Sequence, residues 1–301
     1  MEFVIISTLN GLSYGLLLFM LSSGLTLIFS MMGVLNFAHA SFYMVGAYLA
    51  STLANIWGFA WALLLAPLCV GLLGMAFERY GLRRVRRQGH VAELLLTFGL
   101  SFLLLEMVQL VWGRGSVSSL IPETLQGSLF TFYDMPFSRY RAFIMAMSTV
   151  VLLLLWLALV RTRIGLILQA ALTHAKAVQA LGHNVPRIFT GVFAGGAALA
   201  GLAGVLGGNL FVTEPGMAAT VGSVLFVVVV VGGLGSLMGA FVASLVLGLV
   251  QTLCLEIALI RPWAPVLPFL LMVLVLSSAR AVASTVANAA AARREWCSRD
   301  F

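Results

Sequence analysis

Asn36-Phe-Ala-His39 places an amide and an imidazole inside Phe3–Phe77, a stretch with no Asp, Glu, Lys or Arg. Polar groups in such a setting are costly in a bilayer and tend to face a bundle interior or a cavity. Asn36 can also cap the helix that follows it, with His39 hydrogen-bonded to a neighbour. The residues alone leave both readings open. Elsewhere the chain offers little chemistry: four histidines, ten acids and no G-x-x-x-x-G-K-[ST] phosphate loop. Gly113-Arg-Gly115 and Gly232-Gly-Leu-Gly235 lack the spacing of nucleotide loops. No nucleophile–base pair and no metal-ligand spacing stands out. We therefore expect no catalytic residue, metal or cofactor, and no ATP hydrolysis by this chain itself. Cys69, Cys254 and Cys297 lie far apart and read as unpaired thiols. Glu106, Glu214 and Glu256 fall at expected helix ends, where interfacial roles account for them.

The elements that must position these residues are set by composition. The 301 residues are 61% hydrophobic and 9% charged, against about a quarter charged in soluble domains. Further uncharged runs cover Ala142–Val160, Ile188–Thr213, Pro215–Leu255 and Pro262–Ala279. A spanning helix needs about 20 apolar residues, and helices satisfy their own backbone amides in lipid. The run Phe226–Val231 shows none of the polar alternation of a membrane β-strand. The expected fold is an all-α integral membrane protein, a polytopic helical bundle of about 8–10 transmembrane helices. Spans are expected near 4–30, 37–56, 58–77, 91–112, 142–160, 188–210, 218–257 and 264–279. Gly232-Gly-Leu-Gly-Ser236 divides 218–257, giving a re-entrant or broken helix near 220–236.

The net charge of +7 is arranged as a topology signal rather than a nucleic-acid patch. Arg79, Arg83, Arg84, Arg86 and Arg87 share one inter-helix segment; Arg161, Arg163, Lys176 and Arg187 share another; Arg280, Arg293, Arg294 and Arg299 end the chain. Cytoplasmic loops collect such charges. The N-terminus is then expected outside, with Gly113–Arg141 as the main external loop and 281–301 as a cytoplasmic tail after a single transmembrane domain over 1–280. Glu2 and the absence of a basic leader make a cleaved signal peptide unexpected.

Two features suggest partners. Gly191, Gly195, Gly196, Gly201, Gly204, Gly207 and Gly208 crowd one span, with small-xxx-small spacing in Gly191–Gly195 and Gly204–Gly208. Small residues let helix backbones approach closely in lipid. Gln169–Pro186 reads as a short helix stopped by Gly182 and Pro186, on the cytoplasmic side between two spans. It is either a passive linker or a helix that docks in a partner's groove.

Several stretches, in order over about 10–275, resemble one family: the permeases of branched-chain amino acid (Liv-type) ABC importers. They are Ser23–His39 followed by Met44-Val-Gly-Ala-Tyr48, then Thr97-Phe-Gly-Leu-Ser101, Arg161-Thr-Arg-Ile-Gly165 leading to Ala180-Leu-Gly182, and Gly232–Ser236 with Gly239-Ala240 and Leu247-Gly248. The resemblance implies a permease subunit in a bacterial inner membrane that forms half of a path for branched-chain or related hydrophobic amino acids. It implies that 161–187 is the segment coupled to the ATPase, with Thr173, His174, Ala175, Lys176, Ala177, Ala180, Leu181 and Gly182 as its docking residues. Asn36, His39, Ser41, Gly233, Gly235 and Ser236 become candidates for the translocation pathway. The implied partners are a second homologous permease, two cytoplasmic ATP-binding subunits, an external substrate-binding protein and membrane lipid. Ala40 stands where the family usually has Gly, Met238 replaces a usual Pro, and His174 and Lys176 occupy positions commonly polar or acidic. The Ala-rich stretch after Ser277 is also a departure from the family's ending. A urea or short-amide permease shares these motifs; a secondary transporter would show ion ligands near the midplane.

Overall fold

The computed structural model describes residues 2–117, 121–132 and 135–278, leaving out the side chains of Glu2, Phe3, Phe132, Ile164 and residues 172–176. The expected tail, with Cys297, and Asp134 of the external loop lie outside the described residues. In chain order the helices are α1 (Glu2–Met32), α2 (His39–Trp57), α3 (Phe59–Phe77), the short α4 (Arg83–Val85), α5 (His90–Trp112), α6 (Arg139–Arg161), α7 (Arg163–Ala180), α8 (Val185–Gly207), α9 (Met217–Gly232) and α10 (Leu237–Glu256). A shorter apolar helix, α11, covers Leu267–Ser278.

Among the described residues, six of these are long and apolar enough to cross a membrane: α1, α3 with its continuation to Gln88, α5, α6, α8 and α10. The polytopic all-α expectation therefore stands. α9 has 16 residues, about 24 Å, short of a full hydrocarbon crossing. The break expected near 220–236 falls at its C-terminal end, where Gly233 and Gly235 take φ of 88° and 87° and Ser236 caps α10 by accepting from the Gly239 amide. A β-hairpin, unforeseen in the sequence, pairs β1 (Ser128–Phe132) with β2 (Met135–Ser138), and the stacked rings of Phe130 and Phe137 have centroids 5.3 Å apart. The spanning helix α5 separates this hairpin from the arginine-rich segment, so the two lie at opposite ends of the bundle.

α2 departs from the simple crossing expected at 37–56. Its first turn is tied to the middle of α1: His39 Nε2 lies 3.0 Å from the Leu21 carbonyl oxygen. Leu21 is about 16 Å along the axis from the end of α1 at Met32. After α1 stops, residues 33–38 climb back into the bundle, and α2 begins there. α1, α3, α5, α8 and α9 surround it, so Phe42, Met44, Ala47 and Tyr48 are wholly buried. That enclosure explains how a helix with Ser41, Tyr43, Ser51 and Thr52 can lie at membrane depth.

Glycines make the enclosure possible. A Cβ on Gly46 would fall 2.6 Å from the Gly201 Cα, and one on Gly204 would fall 2.8 Å from the Ala47 amide nitrogen. Gly24 faces the Gly196 carbonyl in the same manner. Of the two small-xxx-small pairs, Gly204–Gly208 is the one packed against α2. A Cβ added to Gly191 or Gly195 would meet nothing within 4 Å among the described residues, and both glycines face outward.

At the arginine-rich end, α3 continues through a π-helical turn (Glu78–Leu82) that turns Glu78 inward. Glu78 and Glu93 are 1% and 2% exposed. Arg86 lies between them, Nε 3.4 Å from Glu93 and Nη2 3.9 Å from Glu78, and stacks over Phe189 at 5.1 Å. The Thr190 hydroxyl donates to Glu78, joining α8 to the cluster. Removing one partner of a buried ion pair leaves an uncompensated charge. Arg86→Met should therefore lower stability in detergent by about 2 kcal/mol, less than for a wholly buried pair because Arg86 is 31% exposed. An unchanged melting temperature would mean that these carboxylates need no counter-charge.

Candidate functional site

The segment that returns from α1 and the first turn of α2 form one wall of a cavity of about 680 Å³. Asn36, Ala40 and Ser41 lie on that wall; α5 contributes Phe98, Ser101, Phe102, Leu105 and Gln109. α9 supplies the opposite wall with Gly222, Ser223 and Phe226, and Phe269 of α11 closes one side. Among the described residues the lining is largely aromatic and aliphatic, with a few polar groups and no charged residue. Pockets of this size and mix hold small molecules with an apolar body. Ala40, where the resembled family usually has Gly, projects its methyl group toward Gly222, and a Cβ there would approach it to 3.1 Å.

Asn36 is 3% exposed. Its Oδ1 accepts a hydrogen bond from the Ala38 amide at 3.1 Å, while Nδ2 has no partner among the described residues. That bond fixes the orientation of the amide, because a backbone N–H can only meet the oxygen. Asn36 thereby caps the start of α2, since its backbone carbonyl also accepts from the His39 amide at 3.2 Å. Ser41 is likewise 3% exposed.

The six pathway candidates separate in space. Asn36 and Ser41 share the cavity. His39 is fully buried and does not line it; its ring nitrogen binds the Leu21 carbonyl and fixes where α2 starts. Gly233, Gly235 and Ser236 form the α9–α10 turn, against Phe29 and Ser30 of α1, where the Ser30 hydroxyl donates to the Gly235 carbonyl at 3.3 Å. None of the three lines the cavity. Sequence reasoning did not single out Gln109 or Ser223 for the cavity, and took Ser101 only as part of a motif. Their one signal was polarity within apolar spans, which many buried serines share.

The expected coupling segment is α7 with the turn after it. The chain turns back at Thr162, whose hydroxyl accepts from the Gly165 amide at 3.1 Å. Gly165 then leaves no room for a side chain against the carbonyls of Ala158 and Leu159. One face of α7 buries Ala171 and Val178 against Val185 and Phe189. On the other face Ala177 and Ala180 are exposed, and Leu181 is 78% exposed. Gly182 ends the helix at φ 86°, its amide bonded to the Gln179 carbonyl, as its place in the sequence suggested. The side chains of Thr173, His174, Ala175 and Lys176 lie outside the described residues. Beside this segment a basic cavity of about 460 Å³ is lined by Arg79, Arg83, Asn184 and Arg187. Among the described residues no cluster of three His, Cys, Asp or Glu side chains could hold a metal ion.

Residues 7–276 match the family described as branched-chain amino acid transport system, permease component. The chain is 29% identical over 282 residues to the high-affinity branched-chain amino acid transport system permease protein LivH of Escherichia coli (strain K12), covering 89% of this chain and 91% of that protein. It is 30% identical over 258 residues to the corresponding permease protein BraD of Pseudomonas aeruginosa, covering 80% and 83%. A probable branched-chain amino acid transport permease protein LivH of Methanocaldococcus jannaschii is 28% identical over 259 residues, covering 81% and 79%. No solved structure matches the chain.

Proposed function

Because this chain belongs to the family of branched-chain amino acid transport permease components, we propose that it is the membrane permease subunit of an ATP-driven importer of branched-chain amino acids. A second, homologous permease would form the other half of the path. Of two cytoplasmic ATP-binding subunits, one would dock on α7 and the other on the second permease, and an external binding protein would deliver substrate. In this reading the arginine-rich end is cytoplasmic and the hairpin end is external, following the charge bias of the loops. A single permease domain then covers 1–280.

The cavity carries the reading. It is bounded by the start of α2, by α5 and by α9, which is too short for a full crossing. Its aromatic and aliphatic walls suit a hydrophobic side chain and offer little to urea, whose whole surface seeks hydrogen bonds. The absence of any carboxylate among the described residues of its lining weighs against an ion-coupled secondary transporter. ATP binding must favour one arrangement of the helices over another for transport to be driven. An exposed helix joining α6 to α8 can transmit that bias, since α8 packs on α2 and α3.

Purification in mild detergent from its native host should bring down a related permease and ATP-binding subunits. The reconstituted assembly should take up L-leucine only with ATP inside the liposomes. Uptake by this chain alone, driven by a proton or sodium gradient, would overturn the reading.

A further inference from the structure

We infer that the cavity recognises the carboxylate end of an amino acid, and that Asn36 Nδ2 together with the positive N-terminal end of α2 makes that recognition. The inference rests on the reading of this cavity as the substrate path. Three observations converge on it. Asn36 lines the cavity, is almost fully buried, and holds an NH2 without a partner among the described residues, its orientation fixed by the Ala38 amide. α2 begins inside the bundle, where Asn36 takes up the Ala38 and His39 amides, and the positive end of the helix dipole lies at the cavity wall that Ala40 and Ser41 form. Among the described residues the lining holds no Arg or Lys that would otherwise take an anion, and no Asp or Glu that would repel one.

An unpaired amide NH2 buried in a membrane protein is a standing cost. A carboxylate is the acceptor group of an amino acid, and it would meet both the amide and the helix terminus. The aliphatic side chain would then lie against Phe98, Phe102, Leu105 and Phe226. The ammonium finds only neutral acceptors, such as Gln109 and the serines. Recognition should therefore fall on the carboxylate and be nearly indifferent to the ammonium group.

The test uses the purified transporter complex without its binding protein, so that the receptor's own selectivity is absent. A cysteine introduced as Ser223→Cys, in a background with Cys69, Cys254 and Cys297 replaced by Ala, reports on the cavity through its rate of modification by a small maleimide. L-Leucine and its 2-oxo analogue, 4-methyl-2-oxopentanoate, should both slow the labelling, and L-leucinamide should be about tenfold weaker, the scale of one lost charge-assisted hydrogen bond. Asn36→Asp keeps the acceptor for the Ala38 amide but replaces the NH2 by an anionic oxygen. It should remove protection by both acids; the buried carboxylate should also lower the melting temperature, so the comparison of leucine with leucinamide in the parent carries the test independently of that loss. Equal protection by leucinamide, or unchanged protection in Asn36→Asp, overturns the carboxylate assignment alone. Protection by none of the three probes in the Asn36 parent overturns the cavity as substrate path, and the assignment with it.

Discussion

Ala177→Asp should abolish ATP-driven uptake by the reconstituted importer while leaving the chain inserted, folded and cavity-competent. Ala177 lies on the exposed face of α7, opposite the buried Ala171 and Val178. A carboxylate placed there meets water in the isolated chain, and exposed substitutions of this kind change stability by no more than about 0.5 kcal/mol. In a docked interface the same carboxylate must be desolvated without a partner, a loss of about 2–5 kcal/mol for a buried unpaired charge. That range corresponds to a drop in partner affinity of roughly thirtyfold to several thousandfold. Leu181, at 78% exposure, is a large apolar side chain held out into solvent in the isolated chain, and Leu181→Asp should act in the same direction. Gly182→Pro would also abolish uptake, but for a less specific reason: proline fixes φ near −65°, whereas the helix stop holds Gly182 at 86°. The informative readout is the pairing of uptake with co-purification of the ATP-binding subunits. Normal uptake and normal ATP turnover in Ala177→Asp would show that the motor docks elsewhere.

The second large effect belongs to the α2–α8 contact. Gly204→Leu should leave little or no folded protein, whereas Gly195→Leu, nine residues earlier on the same helix, should leave the isolated chain as stable as the parent. The two substitutions add the same side chain to the same apolar helix, so any difference comes from what it meets. At Gly204 it meets the backbone of Tyr43 and Ala47, which cannot yield as a flexible side chain could. Overpacking a close-packed site typically costs about 1–3 kcal/mol, and displacement of a whole helix costs more. At Gly195 it meets open space. The displaced helix is the one whose first turn carries Ser41 and follows directly on Asn36, so any surviving Gly204→Leu protein should have lost the cavity as well. Monodispersity in gel filtration and the melting temperature in detergent give the answer directly. Equal behaviour of the two variants would contradict the close approach of α2 to α8.

Whatever the bilayer imposes residue by residue was already legible in the chain. Uncharged runs of spanning length specified the helices, the glycines at 182 and 232–235 specified where α7 and α9 end, and the arginine clusters specified which connections lie at one end. These properties depend on short stretches of chain and on solvent, so local reading finds them. Which helix faces which is a different matter, because in lipid both faces of a spanning helix are apolar and periodicity carries little information. The start of α2 inside the bundle emerges only from packing, and it separates Asn36 in the cavity from His39 in a packing contact three residues away. Packing likewise distinguishes Gly204 from Gly195 and brings Glu78, Arg86, Glu93 and Thr190 into one cluster from three separate stretches of sequence. A charge run reads as a solvated loop until neighbouring helices exclude water from it, and that exclusion is a property of the assembled bundle.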